Sequence, residues 1–328
     1  MATLTNTRKL AQRWPRLMSL LWRLPGIAGL VVLLVVITFI IVHLVPGDPA
    51  RNIVGLTATQ DQVQLVRQQL GLDRSLSSQF VSYVAGLVNG DLGTSFVTSQ
   101  PVSELLTQRL PVTAELAGLG VVIVLFVGFP VGITIASLQR SGRARWASSS
   151  FTAGASVAGA MPEYIAGTLF ILIFALSLHV LPTQGGTSLQ QIAMPAVTVA
   201  FAPTAIFARL VRNETTAVLG QEYIATAMAK RLPGWRLYLT HVLPNVVTST
   251  LTLGSLILIA LLGGTVITEN VFNIPGLGTQ IVQAILQNDY PAIQGIILVL
   301  GLLAILITVV VDVLLGFLDP RTLSRSKG

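Results

Sequence analysis

The chain has 328 residues, of which 52% are hydrophobic and only 10% are charged, and its formal net charge is +7. Soluble domains contain about 25% charged residues, so this composition indicates an integral membrane protein with several spans. The absence of cysteine excludes disulfides and thiolate metal sites, and the three histidines lie far apart without metal-ligand spacing. The basic residues are spread between apolar segments rather than gathered on one face, which argues against nucleic-acid binding. With no P-loop motif either, the sequence predicts no metal and no cofactor.

Six apolar segments follow one another along the chain, and each is long enough to cross a membrane. They are predicted over residues 24–45, 112–137, 148–178, 190–211, 246–268 and 292–317. The third segment is interrupted at Pro162. The first is expected to be retained, because it is longer than a signal-peptide core and lacks an Ala-x-Ala exit. The expected fold is all-α and polytopic, with six transmembrane helices.

The basic residues predict the orientation of these helices. Sixteen of the 20 lysines and arginines precede the first span, follow the last, or lie in the loop between spans two and three or in the loop between spans four and five, counting the flanks of the latter. The other four lie in the loop 46–111, which is long enough to escape the positive-inside rule. Both termini are therefore expected to be cytoplasmic.

The long external loop is expected to form a small helical insertion between the first two spans. Thr59 begins a capping-box pattern that opens one helix, and Gly71 ends it. A second helix is predicted from about Leu76 to near Gly90. The side chains expected at the interface between the two helices are apolar: Val66, Leu70, Phe80 and Val84.

Small residues recur at a spacing of four within the spans. The pairs are Gly128/Gly132, Ala155/Gly159, Thr250/Gly254 and Ala260/Gly264. Such residues allow helix backbones to approach closely in lipid. Alternatively, some of them give a translocation pathway its width. The ionisable residues inside the spans are few, namely Glu115, Glu163 and Asp312, and this scarcity argues against ion-coupled transport.

The fifth span is richer in small and polar residues than the other spans. This composition makes it the candidate to border a pathway. The candidate pathway residues are Thr248, Thr252, Ser255, Gly263 and Gly264.

A cytoplasmic segment over about 221–235 separates the fourth and fifth spans. On a helix from about Gln221 to Lys230, short side chains at Ala225 and Ala229 share one face with Met228 and Leu232. One hypothesis is a surface that docks a cytoplasmic partner; the other is an interfacial helix anchored by its aromatic residues. The docking hypothesis assigns these residues to the contact: Glu222, Tyr223, Ala225, Thr226, Ala227, Met228, Ala229, Lys230, Arg231, Leu232 and Pro233.

This segment resembles the cytoplasmic motif of ABC importer permeases, in which Glu-Ala-Ala is followed at fixed spacings by Gly and by Ile-x-Leu-Pro. Aligned on Leu243 and Pro244, the motif's residues fall in order on Ala225, Thr226, Ala227, Arg231 and His241. The family's Glu and Gly are absent. The missing Glu and the His resemble the peptide-permease branch, whereas Arg231 departs even from that branch.

Further stretches resemble the dipeptide/oligopeptide/nickel permease family, in the family's order along the chain. They are residues 45–49, 90–96, 269–278, 289–290 and 311–321. The resemblance implies a type I ABC importer permease (MetI-like) fold in the bacterial inner membrane. It implies one half of a translocation pathway for short peptides, with nickel, glutathione or sugars as alternative substrates.

The resemblance also implies partners. These are a second, homologous permease in a heterodimer, two cytoplasmic ATPase subunits and an extracytoplasmic substrate-binding protein, so that this chain itself catalyses no reaction. The chain is expected to divide into four parts. They are the cytoplasmic N-terminus with the first transmembrane helix at 1–45, the external helical loop at 46–111, a permease core of five transmembrane helices at 112–318 and a cytoplasmic tail at 319–328. The rival hypotheses are a secondary transporter that works without ATP and a membrane scaffold without a pathway.

Overall fold

The computed structural model describes residues 24–55, 57–140, 145–186 and 188–318. Within these ranges the chain is helical apart from its turns and short loops, and the isolated pairing of Thr94 with Pro101 is not part of any strand. The all-α prediction is therefore confirmed. The basic residues before the first span and those of the tail 319–328 lie outside the described residues.

The helices of the described ranges have the following bounds. They are α1 (Leu24–Leu44), α2 (Pro49–Val54), α3 (Gln60–Gln69), α4 (Leu76–Val88), α5 (Val102–Arg140), α6 (Arg145–Ala160), α7 (Glu163–Phe170), α8 (Leu189–Leu219), α9 (Glu222–Ala229), α10 (Gly234–Leu237), α11 (Leu243–Val271), α12 (Leu277–Leu286) and α13 (Tyr290–Leu318). Two π-helical segments, Ile171–Ser177 and Tyr238–Val242, continue α7 and α10.

Among the described residues, five helices are long and apolar enough to cross a membrane: α1, α5, α8, α11 and α13. A sixth span is formed if α6 and α7 are counted together, although they are bent by 101° at their break. The break lies where the sequence predicts an interruption, and Pro162 occupies the N-cap of α7. Proline lacks the N–H that a continuous helix needs, which explains the position of the bend.

The second span lies within a helix that begins at Val102, ten residues earlier than the predicted start at 112. The extension is stabilised by apolar side chains at helical spacing. Val102, Leu105 and Leu106 are buried against Leu277 and Ile296. The helix therefore begins before the predicted apolar span, and this first part packs on protein, so the limits of the continuous apolar run did not reveal it.

The chain divides into two compact units, and the first comprises the residues up to Thr113 together with Pro275–Ile305. Besides the cluster around Val102, it contains a second buried cluster in which Val42 packs with Ala284, Ala292 and Ile293. These clusters hold together helices that are far apart in sequence.

The long loop between α1 and α5 contains the two predicted helices, α3 and α4. Thr59 and Gln62 make both bonds of the capping box, and Gly71 follows the first helix with a φ of +68°. The ring of Phe80 on α4 lies edge-on to Phe39 of α1, with ring centroids 5.1 Å apart, and Tyr83 stacks on the same ring at 6.0 Å. The second helix of the loop therefore packs on the first span, a contact that the sequence pattern did not predict.

Three of the family-like stretches meet within the first unit, and buried carboxylate and amide groups join them. The Asp289 carboxylate accepts hydrogen bonds from the Ser95 hydroxyl and from the backbone N–H of Phe96. The Asn288 side chain donates to the carbonyl of Pro46 over 3.1 Å. It also closely approaches Gly47, where any Cβ would lie 2.5 Å from its Oδ1 atom. These motif residues therefore stabilise the fold of the unit.

The second unit comprises Ala114–Ile274 and the residues from Leu306 onward, and α8 packs against α6, α7 and α11 within it. Glycines of neighbouring helices face α8 at close range. A Cβ at Gly128 or Gly254 would lie 2.7 or 3.0 Å from the ring of Phe207, and one at Gly132 would lie 2.6 Å from the carbonyl oxygen of Ala208. At these positions the small residues serve helix packing, as one of the two hypotheses expected.

Candidate functional site

The candidate docking segment begins with α9, directly after α8. Ile224 is fully buried and Ala227 is 6% exposed, so these side chains attach one face of the helix to the second unit. Gln221 at the N-cap makes no side-chain capping bond. The position of α9 therefore depends on the packing of this apolar face.

The opposite face of α9 is exposed and carries short side chains. Ala225, Thr226 and Ala229 are exposed, as are Glu222 and Tyr223 nearer the start of the helix. The predicted stripe is therefore only partly correct, because Met228 and Leu232 are half-buried rather than on the open face. What remains is a shallow surface of methyl-sized groups bordered by polar side chains.

A left-handed turn follows α9. Lys230 is the C-cap, and Arg231 has a φ of +54°, with its N–H donating to the carbonyl of Met228 over 2.9 Å. Helices commonly end in this way, usually with glycine in the left-handed position because glycine has no Cβ to clash. Arg231 is the position at which the family motif has Gly, so the motif's glycine has a direct backbone explanation here.

Arg140, the last residue of α5, ties this segment to the rest of the second unit. Its guanidinium donates to the carbonyl of Leu219 at the end of α8 and, over 3.3 Å, to the sulfur of Met228 on α9. In the sequence pattern, Arg140 indicates only the orientation of the spans. A single arginine at a span end has no pattern that would predict this contact.

After the turn the chain returns through α10 and the π-helical segment to α11. The wider segment 221–235 is thus two helices separated by a turn, and not one. Leu237 is buried, whereas Trp235 is 69% exposed. The exposed side chain of Trp235 is therefore available for contact with a membrane surface, as the anchoring hypothesis requires.

The candidate pathway residues lie along α11. Thr248 is half-buried and donates to the carbonyl of Pro244 within its own helix, over 2.9 Å. Ser255 is half-buried, and the side chain of Thr252 lies outside the described residues. Gly263 is exposed, with no atom within 4 Å of the position of a Cβ. Gly264 differs, because its face is covered by the side chain of Glu163.

The first unit contains a cavity of about 180 Å³ where the long loop between α1 and α5 meets α1 and α13. Aromatic and polar side chains both line it. The aromatic residues of the lining are Phe39, His43, Tyr83, Phe96 and Tyr290. Burial raises the pKa of the Tyr83 phenol to about 12, so this side chain is protonated at every physiological pH.

Across the described ranges, no group of His, Asp and Glu side chains could hold a metal ion.

Residues 128–324 match the family described as the binding-protein-dependent transport system inner membrane component, and residues 17–117 match the corresponding N-terminal family. The chain is a member of this permease family. The family resemblance inferred from the motifs is therefore confirmed, together with a location in a membrane.

Named relatives cover almost the whole permease. A probable D,D-dipeptide transport system permease protein of Escherichia coli K12 is 36% identical, over 94% of this chain and 97% of the relative. A glutathione transport system permease protein of Salmonella choleraesuis is 37% identical, over 91% and 96%. A putative peptide transport system permease protein of Brucella abortus is 36% identical, over 87% and 92%.

A solved structure shares the fold of the permease. The inward-facing MetNI methionine ABC transporter contains a chain that superposes with a TM-score of 0.57 at 17% identity, covering 66% of this chain and 96% of that chain. The MetI-like fold expected from the resemblance is therefore confirmed.

Proposed function

We propose that this permease forms half of the translocation pathway for short peptides in an ABC importer. Three relatives of more than one-third identity are named as dipeptide, glutathione or peptide permeases, and glutathione is itself a tripeptide. The branch of the coupling motif inferred from His241 and the missing Glu points to the same class of substrate. These substrates share a peptide backbone that carries an amino group and a carboxylate.

The observation that carries the coupling role is the two-sided structure of α9. Its buried residues Ile224 and Ala227 fix the helix to the second unit, while Ala225 and Ala229 present an open surface of short side chains. Small side chains permit the close approach that a knob in a groove requires. We assign this surface to contact with an ATPase subunit.

The assembly that follows has four kinds of subunit. This permease pairs with a second, homologous permease; two ATPase subunits bind on the cytoplasmic side, and a substrate-binding protein docks outside. ATP binding and hydrolysis occur in the ATPase subunits, and this chain itself hydrolyses nothing. Rigid attachment of α9 through Ile224, Ala227 and Arg140 allows movement of an ATPase to be passed to α5 and α8.

The proposed pathway borders α11, through Thr248, Thr252, Ser255, Gly263 and Gly264. The open space beside Gly263 supports this assignment.

Both termini are assigned to the cytoplasm and the helices α3 and α4 to the outer face. There the loop 46–111 is positioned to meet the binding protein or to shield the mouth of the pathway.

A substitution at Ala225 tests the coupling surface. Glutamate is a good helix former and Ala225 is exposed, so Ala225→Glu should leave the permease folded and inserted. In a close-packed contact the larger side chain costs about 1–3 kcal/mol, and its buried charge costs more. We expect the variant to lose ATPase subunits on purification, or to lose substrate-coupled ATP hydrolysis, in reconstituted complexes.

Two further variants complete this experiment. Ala227→Glu places the same side chain on the buried face of α9, so it should impair folding of the permease itself. Trp235→Ala tests the anchoring hypothesis, which predicts impaired insertion there and a mild effect at Ala225. Normal recovery of ATPase subunits and normal coupled hydrolysis with Ala225→Glu would contradict the docking assignment.

A further inference from the structure

The break between α6 and α7 places irregular backbone inside the third span. Residues Met161 and Pro162 interrupt the helix, and the two halves meet at 101°. Backbone that leaves the helix at membrane depth is tolerated where it is buried in protein or lines a water-filled cavity. In transport proteins, interrupted helices of this kind frequently border the bound substrate.

Glu163 is the first residue after this break, and its carboxyl group reaches α11. The Oε1 atom accepts a hydrogen bond from the hydroxyl of Thr268, which is fully buried. The Oε2 atom lies over Gly264, where a Cβ would come within 2.6 Å of it. The hydroxyl of Thr268 binds the carboxyl group, and the lack of a side chain at Gly264 leaves room for it. The carboxyl group is thereby held at one place on the face of α11.

No lysine, arginine or histidine of the described ranges forms a salt bridge with Glu163. The residue is nevertheless half-exposed, and Gly263, the chain neighbour of Gly264, has no atom within 4 Å of the position of a Cβ. A carboxyl group facing lipid is costly, so ionisable residues within spans face a partner or a water-filled cavity. Glu163 is therefore held by Thr268 and Gly264, while its half-exposed side chain can meet a group that enters from outside the chain.

We propose that Glu163 binds the cationic group of the transported substrate during its passage, and so determines the charge preference of the pathway. The inference rests on the proposed peptide function, because peptides differ in charge through side chains such as the ammonium group of lysine. Thr268 and Gly264 are positioning residues that orient the carboxylate. This role places the substrate at the Pro162 break, next to two of the candidate pathway residues, Gly263 and Gly264.

Two near-isosteric variants separate recognition of charge from a structural link between helices. Glu163→Gln removes the charge but keeps an oxygen that can accept the hydrogen bond of Thr268. Thr268→Val removes that hydrogen bond but keeps the carboxylate. A purely structural link would be damaged more by Thr268→Val, whereas a substrate contact would be damaged more by Glu163→Gln.

The measurement is the maximal transport rate of two dipeptides, Ala-Lys and Ala-Glu, into proteoliposomes that contain the complete complex and saturating binding protein. The wild type should transport Ala-Lys faster than Ala-Glu. Glu163→Gln should lower the Ala-Lys rate by on the order of tenfold, as expected for one charge-assisted contact, and bring the ratio of the two rates close to one. Thr268→Val should retain most of the wild-type ratio.

The outcomes distinguish this inference from the function on which it rests. Wild-type transport with an unchanged ratio in Glu163→Gln would overturn the role of Glu163 alone. Loss of the second permease from the purified Glu163→Gln complex would also overturn it, because the carboxylate would then pair with a cation of that subunit. A wild-type complex that transports neither dipeptide would overturn the peptide function itself.

Discussion

At the scale of single residues, Arg231 shows how a backbone conformation explains a motif. The residue adopts a left-handed conformation with a φ of +54°, directly after the C-cap of α9. A Cβ in this region clashes with the backbone and costs roughly 1–2 kcal/mol. The turn nevertheless forms here because Ile224, Ala227 and Leu237 are buried on either side of it. Arginine at this position is therefore retained at some cost in local stability.

We predict that Arg231→Gly stabilises the turn after α9 by about 1 kcal/mol, because glycine adopts the left-handed region without a steric clash. The measurement is hydrogen–deuterium exchange of the backbone amides over 222–239, which should slow in the variant. Lys230→Gly is the matched control. Lys230 has an ordinary φ of −76°, so the loss of its side chain should speed exchange instead. Faster exchange in Arg231→Gly would contradict the strain argument.

At the scale of helices, close contacts with α8 organise the second unit. Phe207 on α8 lies against Gly128 of α5 and Gly254 of α11, and its ring is edge-on to Phe129 at 5.0 Å. Lipid supplies no hydrophobic drive for such contacts, so the absence of side chains on the facing helices determines how closely they approach. The same helix continues toward α9, so this packing fixes the base of the coupling segment.

We predict that Gly132→Ala destabilises the permease by about 1–3 kcal/mol, the usual range for overpacking. The new Cβ would lie 2.6 Å from the backbone oxygen of Ala208, which cannot rotate away as a side chain can. Gly118→Ala on the same helix has no atom within 4 Å of the new group and should be neutral or slightly stabilising. Thermal unfolding of the purified variants measures both effects. Equal midpoints for the two variants would contradict this account of the helix contact.

At the scale of the whole molecule, the distribution of basic residues predicts the orientation in the membrane, whereas the packing of the chain determines its two compact units. Sixteen of the 20 lysines and arginines fall on one predicted side, which sets the proposed orientation. The division into two compact units instead follows the packing of distant segments, since Pro275–Ile305 joins the residues up to Thr113. The helix α4, from the loop between α1 and α5, packs on α1 within that first unit. The basic residues of the loops thus predict the orientation of the chain, whereas buried contacts between distant segments determine its two units.

We predict that reporter fusions at Gln100 read as external, and that fusions after Gly142 and after Lys327 read as cytoplasmic. The reason is the positive-inside bias, which counts the short loops and excludes the long loop 46–111. Paired reporters, one active on each side of the membrane, measure every position twice. A cytoplasmic result at Gln100 would overturn the topology and the external assignment of α3 and α4.

The sequence by itself determined the features that depend on local chemistry. Apolar runs predicted the spans, the capping box at Thr59 and Gly71 predicted α3, and Pro162 predicted the break in the third span. The family-like stretches, which follow the family's order along the chain, predicted the permease family. Turn and contact residues at fixed spacings identify a family even where the role of each residue is unknown. The start of α5 was missed, since Val102–Leu106 packs on protein and lies outside the apolar run.

Only the tertiary structure decided which distant residues meet. It joined Asp289 to Ser95, placed Arg140 on Met228 and set Glu163 against Thr268 and Gly264. It also separated the short side chains of α9 into a buried face and an open one. No periodicity encodes these contacts, because a side chain's partner across helices depends on how closely the helices approach. That approach is fixed by glycines and buried clusters spread over the whole chain.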